Sequence, residues 1–135
     1  MPRPECLPEE NVLRAIHKAH WDESQNLKSS AIFKGREISV SRLSILGVPE
    51  LFVIFHRQLD KSVNGRIVAA GEINIGMLQA IGRNHTPSIE LTVEADPEED
   101  NPAHAVIPQQ IKQRGLALKI IDALTIHYEN QGSDR

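Results

Sequence analysis

From Ile89 to Asp96 the chain alternates without a break. Ile89, Leu91, Val93 and Ala95 fall on one side, and Glu90, Thr92, Glu94 and Asp96 on the other. A period of two describes a half-buried strand, and a helix bundle has no place for it. Arg36 to Arg42 repeats the pattern, with Ile38 and Val40 facing one way and Glu37, Ser39 and Ser41 the other. Ile67 to Ile73 is a short, nearly continuous apolar run, as in strands buried on both faces. Ala105 to Ile107 adds another short strand.

Helical signals lie between these segments. Pro8, Glu9 and Glu10 suit a helix start, because proline fits the first turn and acids complement the dipole. Val12, Leu13, Ile16 and Ala19 follow at helical spacing, so a helix is expected from Pro8 to about His20. The polar residues Asp22 to Lys28 form a loop, and Gly35 turns the chain into the next strand. Pro49-Glu50 opens a helix over Leu51 to Phe55, although Phe52-Val53-Ile54-Phe55 also suits a strand. Asn64-Gly65 is a turn dipeptide. Asn74 caps a helix through Gln79-Ala80, which Gly82 ends in the left-handed conformation. Pro108 opens the longest helix, to about Asn130, with Ala117, Ile120, Ile121, Leu124 and Tyr128 in one stripe. The expected fold is a single α+β domain over residues 1–135. Its small, mostly antiparallel or mixed sheet packs against a long C-terminal helix, and residues 1–7 and 131–135 are flexible ends.

With 135 residues, the length is that of one domain. Aromatics make up only 4%. The core is therefore aliphatic, with Trp21, Phe33, Phe52, Phe55 and Tyr128 as anchors. A net charge of −3 argues against a nucleic-acid binder, which needs a strongly basic face. The single Cys6 cannot form an internal disulfide. Together with an N-terminus unlike a signal peptide and no long apolar run, this points to a cytoplasmic protein with no membrane association. Lys28 to Arg66 is rich in basic residues, and Glu90 to Asp100 is acidic; both read as solvated faces, the second also as a binding loop.

Three polar clusters carry the candidate chemistry. His17 and His20, three apart on the expected helix, share a face beside Trp21 and Asp22. Such a pair can ligate a metal only with further ligands, and no metal motif accompanies it, so no metal or cofactor is expected. Ser29 and Ser30 precede an apolar run; either they cap a turn or a hydroxyl contacts a ligand. No glycine adjoins them to form a nucleophile elbow. His104, flanked by alanines in Asn101-Pro102-Ala103-His104-Ala105, has the accessibility and near-neutral titration of a general base, or else belongs to an Asn-Pro turn. The expected site lies where these clusters meet. His20, Ser30 and His104 are the catalytic candidates. His17, Trp21, Ser29, Lys34 and Asn101 are the ligand contacts, with Lys28 and Lys34 favouring a small anion.

Together these segments (His17 to Asp22, Ser29-Ser30-Ala31-Ile32-Phe33, Ile38-Ser39-Val40, and Asp96-Pro97 with Asn101 to Ala105) resemble a group of small bacterial proteins with no established activity. The resemblance covers about residues 17–107 and implies a bacterial protein working with products of neighbouring genes. The functional expectation is a binding or regulatory component, acting with a protein partner or as a homo-oligomer. The alternative is a small hydrolase or transferase using a His/Ser site on an anionic substrate.

Overall fold

The computed structural model describes residues 3–25, 27–60 and 66–129. Strand β1 (Asn11–His17) leads into a small hairpin of β2 (Trp21–Asp22) and β3 (Leu27–Lys28), then a 3-10 turn over Ser30–Phe33. There follow β4 (Ile38–Arg42), α1 (Val48–Leu59), β5 (Ile67–Asn74), α2 (Ile75–Asn84), β6 (Glu94–Ala95), β7 (His104–Ile107), α3 (Arg114–Asp122) and β8 (Thr125–His127). Six strands form one sheet in the order β6-β7-β4-β1-β5-β8, with all neighbours antiparallel. No described helix is long and apolar enough to cross a membrane.

The first expected helix is instead the central strand β1. Its Val12 and Ile16 face one core cluster and its Leu13 the other. A strand buried on both sides loses its alternation, and apolar residues at positions 12, 13 and 16 then imitate a helical stripe. Nor does Glu10 serve a helix dipole. Its carboxylate accepts from Arg42 Nε and Nη2 at 2.8 and 2.9 Å and from the Ser44 hydroxyl at 2.8 Å, tying the entry of β1 to the end of β4. That pairing holds the Glu10 carboxyl down at about 2.

Helix α1 forms where Pro49-Glu50 predicts it, and buries Leu51, Phe52, Ile54 and Phe55. Each such side chain contributes about 1.5–3 kcal/mol. Asn74 caps α2 as expected, its Oδ1 accepting from Met77 N at 3.0 Å. Gly82, however, sits inside α2 with ordinary backbone angles. It is small because a Cβ there would lie 2.7 Å from the Ile89 carbonyl oxygen. Gly35 does turn the chain, with φ at +121°.

Further expectations change. Of the alternating run Ile89 to Asp96, only Glu94–Ala95 pairs as a strand. Leu91, Val93 and Ala95 are buried as the period demands. But Thr92 N donates to the Gln109 side chain, and the Val93 carbonyl accepts from Cys6 N. Periodicity records which side is buried; it does not name the pairing partner. The expected long C-terminal helix stops at Asp122, and Thr125–His127 turns back as β8 onto β5, with Ile126 opposite Gly71. Asp22 and Leu27–Lys28, expected within a loop, belong instead to the β2–β3 hairpin, in which Trp21 pairs with Lys28 and Asp22 with Leu27. Residues 3–6 lie along the outer side of β6, where Ala95 N donates to the Pro4 carbonyl and Arg3 pairs with Glu37 and Glu94. The Asn64-Gly65 turn and the 131–135 tail fall outside the described residues.

The sheet has two unlike faces. On one, α2, α3 and the Ser30–Phe33 turn complete a large aliphatic core that includes Ile16, Phe33, Leu78, Leu116 and Ile120. On the other, α1 covers a smaller cluster around Leu13, Ile67 and Ala70.

Candidate functional site

The smaller face carries a cleft because its side chains are short and its sheet is incomplete. Register places Leu13, Ser41 and His104 in one row across β1, β4 and β7. The next positions along β1, β4 and β5 on that face are Ala15, Ser39 and Ala70. Strands β1 and β4 ladder only at Val12–Arg42 and Leu13–Ser41, then diverge. Helix α1 roofs one side with Phe55, Gln58 and Leu59, and the acidic loop roofs the other with Glu98, Asp100 and Asn101. The space between is a cleft of about 460 Å³.

Arg14 fills the gap where the two strands part. Its Nη1 donates to the Ser39 carbonyl of β4 at 2.8 Å, in place of a ladder partner, and its Nε to the Ile32 carbonyl of the 3-10 turn at 2.9 Å. Arg14 also lines the cleft. One edge of the side chain meets solvent, but the guanidinium is enclosed densely enough that burial pushes its pKa down to about 10. No carboxylate pairs with it among the described residues. It is a positive charge, held by neutral carbonyls, in the seam between β1 and β4 at the edge of the cleft.

His104 stands on the wall of the cleft, its side chain 11% exposed. Its Nδ1 lies 2.9 Å from the Asp96 carbonyl oxygen, 3.3 Å from Asp96 Oδ2 and 3.7 Å from Glu98 Oε2. Its Nε2 lies 3.1 Å from Ser39 Oγ. A carbonyl only accepts, so in the neutral ring Nδ1 carries the proton and Nε2 accepts from the Ser39 hydroxyl. Asn101 is 1% exposed. It donates from Nδ2 to Ser41 Oγ at 3.1 Å, and its Oδ1 accepts from Ala103 N, which sets the turn that delivers His104. On the rim, Asp100 is held below its ordinary value by a hydrogen bond from Gln58 and, further down in weight, by Arg57.

The other candidates gather elsewhere. The His20 carbonyl accepts from Ser29 N at 3.0 Å, so the first two polar clusters adjoin. His17 and His20 meet edge to face at 6.0 Å. Burial, with His17 and Arg14 adding to it, pushes the His20 pKa down. The Ser29 hydroxyl accepts from Ala31 N as the cap of the 3-10 turn; Ser30 is its first residue and Lys34 its exposed C-cap. Trp21 is buried, donating to the Tyr128 hydroxyl at 3.1 Å with Lys28 Nζ 5.7 Å from its ring centre. His17 lies four residues beyond Leu13 along β1, about 13 Å of strand, and Leu13 is two strands from His104. The third cluster is therefore set apart from the first two. Among the described residues, no group of three His, Cys, Asp or Glu side chains is arranged to hold a metal ion.

Ser39, Arg14 and Gln58 are absent from the sequence-derived set. Ser39 and Ser41 showed themselves only as the polar side of an alternating strand, which reads as solvent-facing. Arg14 sat among apolar residues of an expected helix. Comparison with protein-family models, curated proteins and solved structures yields no match.

Proposed function

We propose that the chain is a small-molecule binding component whose site is the cleft over Ser39 and His104, and that its ligand carries an anionic group. The observation that carries this reading is Arg14. A desolvated guanidinium with carbonyl partners only is an anion site awaiting its counter-charge, since burying a cation is costly unless it is paired. The rim has the opposite sign, with Glu98 and Asp100 exposed above the floor. A ligand with one negative end and one cationic or hydrogen-bond-donating end matches both levels. An amino acid or a similar zwitterion fits the cleft volume.

Titration calorimetry with a panel of amino acids, their decarboxylated amines and their deaminated acids tests this. Zwitterions should bind most tightly, and Arg14→Gln should weaken the acids and zwitterions about tenfold or more while leaving the amines unaffected. Equal affinity of wild type and Arg14→Gln for every carboxylate would end the proposal.

A further inference from the structure

We infer that Ser39 is a nucleophile activated by His104, and that the cleft performs acyl transfer on small esters. The nucleophile assignment does not rest on Arg14; only the preference for anionic esters rests on the binding reading above. Three features converge on it. First, the tautomer is fixed: the Asp96 carbonyl, 2.9 Å from Nδ1, holds the ring proton there and leaves the Nε2 lone pair facing Ser39 Oγ at 3.1 Å. This is the arrangement a serine needs, a base within hydrogen-bond reach and a third group orienting that base. Second, Ser39 is exposed on the cleft side while His104 is largely enclosed, so an entering carbonyl carbon meets the hydroxyl and not the base. Third, the carboxylates of Asp96 and Glu98 flank Nδ1 at 3.3 and 3.7 Å, where they stabilise the imidazolium that forms on proton transfer.

The step balances with water as the only co-reactant. Ser39 Oγ bonds to the acyl carbon as its proton moves to His104 Nε2. The carbon–oxygen bond to the leaving alcohol then breaks, and the same proton goes to the departing oxygen. Water next attacks the acyl-serine, giving one proton to Nε2. The acyl–Oγ bond breaks, that proton returns to Oγ, and the free acid leaves. The Ser41 hydroxyl, two residues along β4 on the same sheet face, accepts from Asn101 Nδ2 and so keeps its own proton to offer a developing oxyanion in the cleft.

Diisopropyl fluorophosphate and two esters, p-nitrophenyl acetate and p-nitrophenyl succinate, probe this on the full chain. The expected result is one phosphoryl adduct per chain, mapped to Ser39 by peptide mass, and hydrolysis of both esters. Ser39→Ala and His104→Gln, verified as folded by unchanged circular dichroism, should lose adduct formation and at least about a hundredfold in rate. Absence of an adduct on the wild type, an adduct that persists in Ser39→Ala, or a His104→Gln variant that reacts at the wild-type rate each overturns the inference. Competition on the wild-type chain separates the two proposals. If the anion reading fails, excess sodium succinate does not slow labelling and the two esters show no preference for the anionic one, while the Ser39 adduct still forms. If the nucleophile assignment fails, no variant matters to labelling, and the ligand panel alone reports on the cleft.

Discussion

The two faces of the sheet divide the work. The α2–α3 face is filled with Ile16, Phe33, Leu78, Leu116 and Ile120, all at 2% exposure or less. The α1 face is floored over β4 and β1 by Ser39, Ser41 and Ala15, and remains hollow there. Large side chains that interdigitate give stability but no room, whereas short ones under a roof give room with little packing to lose. The same strands supply both, because alternate residues answer to different neighbours.

The largest expected effect breaks the filled face. Ile121→Asp puts an unpaired charge against α2 and the sheet, and should cost about 4 kcal/mol in denaturant unfolding. A midpoint equal to wild type would mean that α3 is not part of the stabilising core. Next is the brace at the closed end of the β1–β4 seam. Glu10 has a depressed folded pKa, so its stabilisation is fully present above its ordinary value of 4.5 and is lost as pH falls towards about 2. Glu10→Gln should lose about 2 kcal/mol at pH 7, and its unfolding free energy should change less than wild type's between pH 4.5 and 2. Identical acid profiles for the two proteins would remove the ion pair from the account.

The hollow face should respond the other way round. Ala15→Leu fills the cleft and should shift stability by less than about 1 kcal/mol while abolishing binding of the zwitterion panel. A variant that loses 3 kcal/mol or more would show that the cleft is packed in solution. The smallest effect concerns His56, on the outer end of α1, whose ring nitrogens meet Asp60 Oδ2 at 2.6 Å and Glu129 Oε1 at 2.7 Å. Burial alone would push its pKa down, but those two carboxylates outweigh it and hold the value above 6.5. Its contribution is therefore complete below pH 6.5 and fades as pH rises through the raised value. His56→Gln should flatten that part of the stability profile by less than about 1 kcal/mol, since the pair is partly exposed.

Much of the fold was legible wherever local chemistry and tertiary position agree. Asn74 as a cap, Pro49-Glu50 as a helix start, and the apolar run of β5 all appear as written. The α+β class follows from them. What was lost is long-range. β1 looks helical because both of its faces are buried. Residues 89–93 look like a strand because alternation survives where the backbone bonds go to side chains and to residues outside the sheet. α3 ends early because β5 offers Thr125 to His127 a ladder. The candidate site divides in the same way: the small-flanked His104 and the turn-forming Asn101 stand out locally as candidates, but the neighbour of His104 does not. Ser39 reaches it only through the β4–β7 register, 65 residues away, and Arg14 acquires its place only because β1 and β4 diverge.

That divergence has a mechanical side. Two adjacent strands left open at one end would normally zip together, since each further rung of backbone bonds is downhill. Here the Ser39 carbonyl is taken by a charged fork that cannot leave without stripping the Ser39 and Ile32 carbonyls of their donors. One arginine thus helps to hold the seam apart beneath the elements that roof the cleft. The opening should therefore keep its width up to the temperature at which the whole sheet melts.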